Sequence, residues 1–276
     1  MQRLVRPAKV GHAGTLDPLA GGVLVVCVGA ATRLIEYVQR MPKSYTGTFL
    51  LGRSSPTEDV AGEVTELANP PVPSLEQIAA AAAAFCGQIE QRPPAFSALK
   101  LAGQPAYKLA RKGRYVELQP RTVVVYRLEV LAYDYPQLTL AVECGGGTYI
   151  RSLGRDLAER LGTAAVMSAL TRTAIGGFHL DQAIEPHVLT PDSLEKHLWP
   201  PLRAVESLPR VELSAEEIVR IRNGLPIARD LPIARETAAP GANEIAALDQ
   251  QQQLIAILTP RGPGLLGPLR NLLANP

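Results

Sequence analysis

Cysteine is scarce in this chain of 276 residues: Cys27, Cys86 and Cys144 are isolated and odd in number. They cannot form a disulfide framework, and their apolar settings read as buried thiols in a reducing compartment. Histidine is equally sparse, with four residues scattered at no ligand-like spacing, which argues against a metal site. Long apolar runs are missing too, because Gly, Pro and charges interrupt each one before membrane-spanning length. The opening residues Met1-Gln2-Arg3-Leu4-Val5-Arg6 carry no apolar signal core. The expectation is a cytoplasmic protein with no membrane partner. Net charge is small, at +2, and excludes little by itself.

What is present is more specific. A hydrophobic fraction of 46% with 20% charged residues fits a globular chain, long enough for one large domain and a small appendage. The charge is segregated. Residues 100–127 hold seven basic side chains against Glu117, for +6, while residues 54–90 hold six acids and no Lys or Arg, for −6. Separation of this kind suggests an oriented surface with one face suited to phosphates. Lys100, Lys108, Arg111 and Lys112 are the candidates for contacts to a phosphate backbone.

The tract Gly11-His12-Ala13-Gly14-Thr15-Leu16-Asp17-Pro18-Leu19-Ala20-Gly21-Gly22 places one carboxylate in a glycine-rich loop. Glycines permit close backbone approach, and Pro18 biases Asp17 toward an extended conformation. The apolar run Val23 to Val28 that follows reads as a buried, central strand. Further strands are expected at 44–51, 88–92, 96–100, 123–131 and 138–144, the last two joined by a Tyr-Asp-Tyr-Pro turn. A short helix is expected over 32–39. Ser74-Leu-Glu-Gln77 and Ser214-Ala-Glu-Glu217 are capping boxes that open helices stopped by Gly87 and Gly224. Pro105 to Lys112 reads as a basic helix. Thr148 to Leu161 reads as an amphipathic one, with Ile150, Leu153, Leu157, Ala158 and Leu161 on one face. Strands at 244–249 and 254–257 follow, and 261–276 is either an edge strand or disordered. The Pro-rich stretch 181–210 marks a boundary between a domain over 1–200 and another over 201–276. This irregular, strand-first order predicts an α+β fold with a large, mainly antiparallel mixed sheet and flanking helices, plus a small β-rich C-terminal unit.

The Asp17 tract resembles the signature G-H-x-G-T-L-D-P-x-A-x-G-V-L of the TruB-type tRNA pseudouridine-55 synthases. Ala13 and Gly21 stand where threonines are common. Lys43-Ser44-Tyr45, the segment Pro93 to Lys100, Gly147-Thr148-Tyr149-Ile150-Arg151 and Leu170-Thr171-Arg172-Thr173 continue the likeness, which covers most of residues 9–180. The resemblance implies a pseudouridine synthase-like catalytic domain with a PUA-like appendage, acting on the T-arm of tRNA as a monomer. It implies Asp17 as the catalytic residue, Arg151 as its ion-pair partner, and Tyr45 stacked on the target uracil. Leu170 would wall the base pocket, Arg172 would reach RNA, and His12 would contact displaced loop nucleotides. The reaction is an isomerisation in which nothing is oxidised and no group is donated, so neither cofactor nor metal is needed. A guide-RNA-dependent, dyskerin-like synthase and a non-catalytic tRNA-binding protein on the same scaffold are the competing readings. The family's usual opening strand and Lys-Pro-x-Gly motif do not precede Gly11, and Arg6-Pro7-Ala8-Lys9 is no substitute. The expectation is an edge left unpaired beside Val23 to Val28.

Overall fold

The computed structural model describes residues 1–97, 99–101, 104–105, 118–229 and 243–273. The chain forms two compact units, each drawn from separate stretches of sequence. One comprises Leu16–Val23 and Arg40–Ala183; the other comprises Met1–Thr15, Leu24–Gln39 and Ile184–Pro276.

The first unit is built on a seven-stranded sheet. Its strands are β1 (Ala20–Gly22), β2 (Lys43–Leu51), β3 (Gly87–Gln91), β4 (Arg121–Asp134), β5 (Gln137–Cys144), β6 (Ala165–Ile175) and β7 (Phe178–His179). The order is β7-β6-β2-β5-β4-β3, all antiparallel, with β1 lying parallel beside β6. Strict alternation in β5 turns Leu138, Leu140, Val142 and Cys144 inward and leaves the residues between them toward the other face. Two helices cover that apolar face: α1 (Leu75–Ala83) and α2 (Ile150–Arg160). Ile78, Ala82, Leu153 and Leu157 join Phe49, Leu51, Leu140 and Met167 in one core. α1 starts at Ser74, whose hydroxyl accepts from the Gln77 amide while the Gln77 side chain accepts from the Ser74 amide. In α2, Gly154 meets the Phe49 ring, where an added Cβ would fall 2.1 Å from a ring carbon. Only glycine lets α2 lie this close to β2.

The second unit has its own five-stranded sheet, with residues in the order 210–212, 245–248, 254–262, 265–271 and 227–228. Its core is apolar, with Val211, Leu213, Ile221, Ile255 and Leu258 among its members. The helix Ala215–Arg222 opens on the predicted capping box at Ser214 and Glu217. The segment 265–271 is no edge strand. It lies inside the sheet, hydrogen bonded on both sides.

The expected central strand Val23 to Val28 does not form. Val23 still donates its amide to the Arg172 carbonyl beside β1, but Leu24 is exposed. Only Val26–Val28 is extended as strand, and it pairs with Val10–His12 in a two-stranded ribbon of the second unit. β-Branched density signals a strand but not its neighbours, and the chain passes from one unit to the other within this run. Residues 29–34 are a 3-10 turn leading into the helix Ile35–Arg40. The expected strand over 96–100 reduces to Lys100–Leu101, paired with Gln104–Pro105. The expected basic helix Pro105 to Lys112 lies outside the described residues beyond Pro105, and Lys108, Arg111 and Lys112 fall there with it.

Candidate active site

Asp17 sits on the loop that enters β1. That loop is fastened to β6 by backbone: Leu170, Thr171 and Arg172 run in register with Ala20, Gly21 and Gly22. Gly22 has a φ of +100°, and a Cβ there would lie 2.2 Å from the Arg172 carbonyl oxygen. The close contact that anchors the Asp17 loop therefore requires glycine.

Arg151 arrives from α2. The residue before that helix, Tyr149, makes no side-chain capping hydrogen bond at the helix start; instead Gln91 clamps the Tyr149 peptide. The Tyr149 amide donates to Gln91 Oε1 at 2.8 Å, and Gln91 Nε2 donates to the Tyr149 carbonyl at 3.0 Å. Arg151 is buried, and each guanidinium nitrogen is assigned. Nε donates to Asp17 Oδ2 at 2.8 Å, Nη1 to the Thr57 carbonyl at 2.8 Å, and Nη2 to the Phe96 carbonyl at 3.1 Å. Nη1 also lies 3.5 Å from Asp59 Oδ2. One cation thus serves two carboxylates, and those carboxylates differ. The Asp59 side chain is 8% exposed, and its Oδ1 accepts from Thr57 Oγ1 at 2.6 Å and from the Ala61 amide at 3.1 Å. The Asp17 side chain is 32% exposed. Asp59 is sealed by its own loop, whereas Asp17 remains open to an incoming group.

Tyr45 stands on β2 directly opposite Arg172 on β6. Burial raises the pKa of its hydroxyl, with Cys144 and Asp17 acting in the same direction and the hydrogen-bonded Arg172 guanidinium opposing them. The hydroxyl is therefore protonated at neutral pH and available as a donor. Leu170 is buried between Gly47 of β2 and Ala20 of β1. Arg172 is 3% exposed and donates from Nε to the Val23 carbonyl at 2.8 Å. The structure turns it inward toward Tyr45.

The structure therefore brings Asp17, Tyr45, Arg151, Leu170 and Arg172 into one unit, on the β1, β2 and β6 strands and the start of α2. His12 is exposed in the ribbon strand Val10–His12 of the other unit. Lys100 lies in the short pair with Gln104–Pro105. Three polar residues that touch this network carried no sequence signal. Asp59 and Glu58 read only as two of the six acids in residues 54–90, and Gln91 as part of the strand expected over 88–92. Arg121 is a fourth: its guanidinium stacks 4.9 Å from the Tyr149 ring centroid and donates to the Gly147 carbonyl, bracing the turn before α2. Among the described residues no cluster of His, Cys, Asp and Glu has the arrangement of a metal site, and no helix is long and apolar enough to cross a membrane.

A paired, half-open aspartate next to a protonated tyrosine and an apolar wall can deliver a carboxylate to an uncharged, flat ring and its sugar. The profile of the TruB family pseudouridylate synthase (N terminal domain) matches residues 2–150. A tRNA pseudouridine synthase B from Ralstonia pickettii (strain 12J) is 40% identical over 98% of this chain and 87% of its own length. One from Arthrobacter sp. (strain FB24) is 39% identical over 95% of this chain and 87% of its own. Among solved structures, a chain from a crystal structure of a Cbf5-Nop10-Gar1 complex superimposes with a TM-score of 0.69 at 26% identity, covering 95% of this chain and 73% of that one. With the signature loop, the ion pair and the sheet all in agreement, the chain belongs to the TruB family of pseudouridylate synthases.

Proposed function

We propose that this enzyme isomerises uridine 55 in the T-loop of tRNA to pseudouridine, with Asp17 as its catalytic residue. The carrying observation is the asymmetry around Arg151: of two carboxylates on one guanidinium, Asp17 alone keeps an exposed face. The target must leave its stack before a side chain reaches it. Tyr45 then stacks on the uracil and Leu170 closes the apolar side of the pocket. The glycosidic C–N bond breaks, the uracil turns, and a C–C bond forms to the same sugar carbon. Asp17 acts as nucleophile, or as base at the ribose 2′ carbon. Arg151 holds the carboxylate in place, and the pocket walls retain the detached base while it rotates.

The 40% identity to synthases of the B type, against 26% to the Cbf5 chain, favours a stand-alone enzyme without a guide RNA, which we take to work as a monomer in the cytoplasm. Residues 201–276, the larger part of the second unit, then serve as a PUA-like RNA-binding appendage to the unit that carries Asp17. Single-turnover assays of the purified chain on an unmodified T-arm test the reading. Asp17→Asn removes the charge and keeps the shape, so product formation is expected to vanish while T-arm affinity stays within about threefold. Normal turnover by that variant overturns the assignment of Asp17.

The basic segment supplies phosphate contacts in this reading. Neutralising Lys108, Arg111 and Lys112 together should weaken T-arm binding and flatten the slope of log affinity against log salt by about one unit per lost contact. Turnover of bound RNA should change little. An unchanged slope removes these residues from the interface.

A further inference from the structure

Glu58 adopts a left-handed backbone, with φ at 61°. Residues with a side chain adopt that state infrequently, and it persists where the surroundings over-determine it. Here the neighbours on both sides are partners of Arg151: Thr57 through its carbonyl and Asp59 through its carboxylate. The turn at Glu58 lets consecutive residues converge on one guanidinium.

Two sets of contacts hold that turn. Toward the sheet, the Met167 amide of β6 donates to the Glu58 carbonyl at 3.0 Å, and the Val60 amide donates to the Met167 carbonyl at 3.0 Å. Toward the helix, Ser152 Oγ donates to Glu58 Oε2 at 2.8 Å, and the Arg155 guanidinium pairs with Oε1. Arg155 is itself braced, donating to the Arg92 carbonyl at 2.9 Å and to Asp156. Ser152 follows Arg151 directly, and Arg155 lies one helical turn beyond it. The carboxylate of Glu58 therefore grips the turn of α2 that presents Arg151, and its backbone grips β6, the strand that carries the Asp17 loop.

We propose that Glu58 is a positioning residue for the isomerisation: it latches the loop of residues 55–60 onto α2, and so fixes Thr57 and Asp59 on Arg151 and the orientation of Asp17. This inference rests on Asp17 carrying the chemistry. Glu58 touches no substrate in this scheme. Its effect passes through Arg151, where a displacement of an ångström is enough to matter. Both of its helix partners are half-buried or better, and the carboxylate has little solvent to turn to if either is lost.

Glu58→Gly separates the latch from the backbone, because glycine takes the left-handed state freely. Expected is a fall in kcat of about 10- to 100-fold, the scale associated with misplacement of a reacting group by about an ångström. KM for the T-arm and the thermal midpoint should change little. Glu58→Gln keeps one acceptor and should lose less. Adding Arg155→Met to the glycine variant should cost no more than about twofold further, because coupled partners are not additive. An unchanged kcat in the glycine variant overturns the proposal. Should that variant not fold, an unchanged kcat in Glu58→Gln does the same. Asp17→Asn is assayed alongside. If it stays active, the reading of the site fails; if it is dead while both Glu58 variants retain full kcat, only the latch fails.

Discussion

The two units of this enzyme spend their interiors differently. All eight buried polar or charged residues found among the described residues (Lys43, Asp59, Gln91, Ser97, Arg151, Ser152, Thr163 and Arg172) lie in the unit that carries Asp17. The other unit buries an aliphatic core and keeps its ion pairs, such as Arg229–Glu217 and Arg203–Glu206, at the rim. Burying a charge costs several kcal/mol after relaxation, of the order that a good pairing only just offsets. A fold that needed stability alone would follow the second pattern. The first unit departs from it, and four of those residues, Asp59, Gln91, Arg151 and Ser152, belong to the hydrogen-bonded network that holds Asp17.

Arg151 gives the comparison its sharpest edge. Arg151→Met should leave Asp59 as a buried carboxylate without its cation and lower the unfolding free energy by about 3–5 kcal/mol. Turnover should drop by at least about 100-fold, because Asp17 loses its orienting partner. Urea unfolding monitored with single-turnover kinetics checks both. A variant as stable as the parent shows that the buried network bears no more energy than a surface pair.

Gln91 has a more modest role. Gln91→Leu conserves the volume but removes the clamp on Tyr149. The Tyr149 carbonyl keeps the Leu153 amide as donor at 3.0 Å, so only the Tyr149 amide loses its partner. A loss of about 1–3 kcal/mol follows from one orphaned donor. Turnover should fall by about tenfold, since the first turn of α2 carries Arg151. Wild-type kcat in a destabilised variant removes Gln91 from the positioning of the site and leaves it as a structural residue.

The same contrast explains what was legible from the sequence. The caps at Ser74 and Ser214, the inward alternation of Leu138, Leu140 and Val142, and the apolar face of α2 are local patterns that sterics and hydrogen bonding write into a few consecutive residues. They appear where the sequence places them. Asp17 and Arg151 are 134 positions apart, and no local rule joins them; motif resemblance did. Asp59, Glu58 and Gln91 were silent for a related reason. Their partners are Arg151, Arg155 and Tyr149, contributed by a distant helix and the residue that precedes it, so an acidic stretch and an expected strand were all the sequence offered. Val23 to Val28 failed in the other direction. Its composition is that of a buried strand, but the chain changes units inside it, and composition carries no information about partners.

The smallest effect is expected at the rim of the second unit. Arg229 holds Glu217 with two contacts, Nε to Oε1 at 2.8 Å and Nη2 to Oε2 at 2.7 Å, and Glu217 also closes the capping box by accepting from the Ser214 amide at 2.7 Å. These contacts, the Arg229 hydrogen bonds first among them, pull the Glu217 pKa from its ordinary 4.5 down to about 2. A carboxylate whose folded value is depressed stabilises the fold above the unfolded value and loses that contribution as pH falls toward the folded one. The Arg229–Glu217 contribution is thus present at pH 7 and fades between 4.5 and about 2. In Arg229→Met, Glu217 keeps its cap and gains water, so the cost at pH 7 should be only about 1 kcal/mol, the scale of solvent-screened pairs. The thermal midpoints of variant and parent should converge as pH is lowered through that window, and kcat should not change. A deficit that persists undiminished at the acid end means that Arg229 acts through packing of its stem rather than through its charge. A deficit several times larger at pH 7 dissolves the distinction between the two units from the other side.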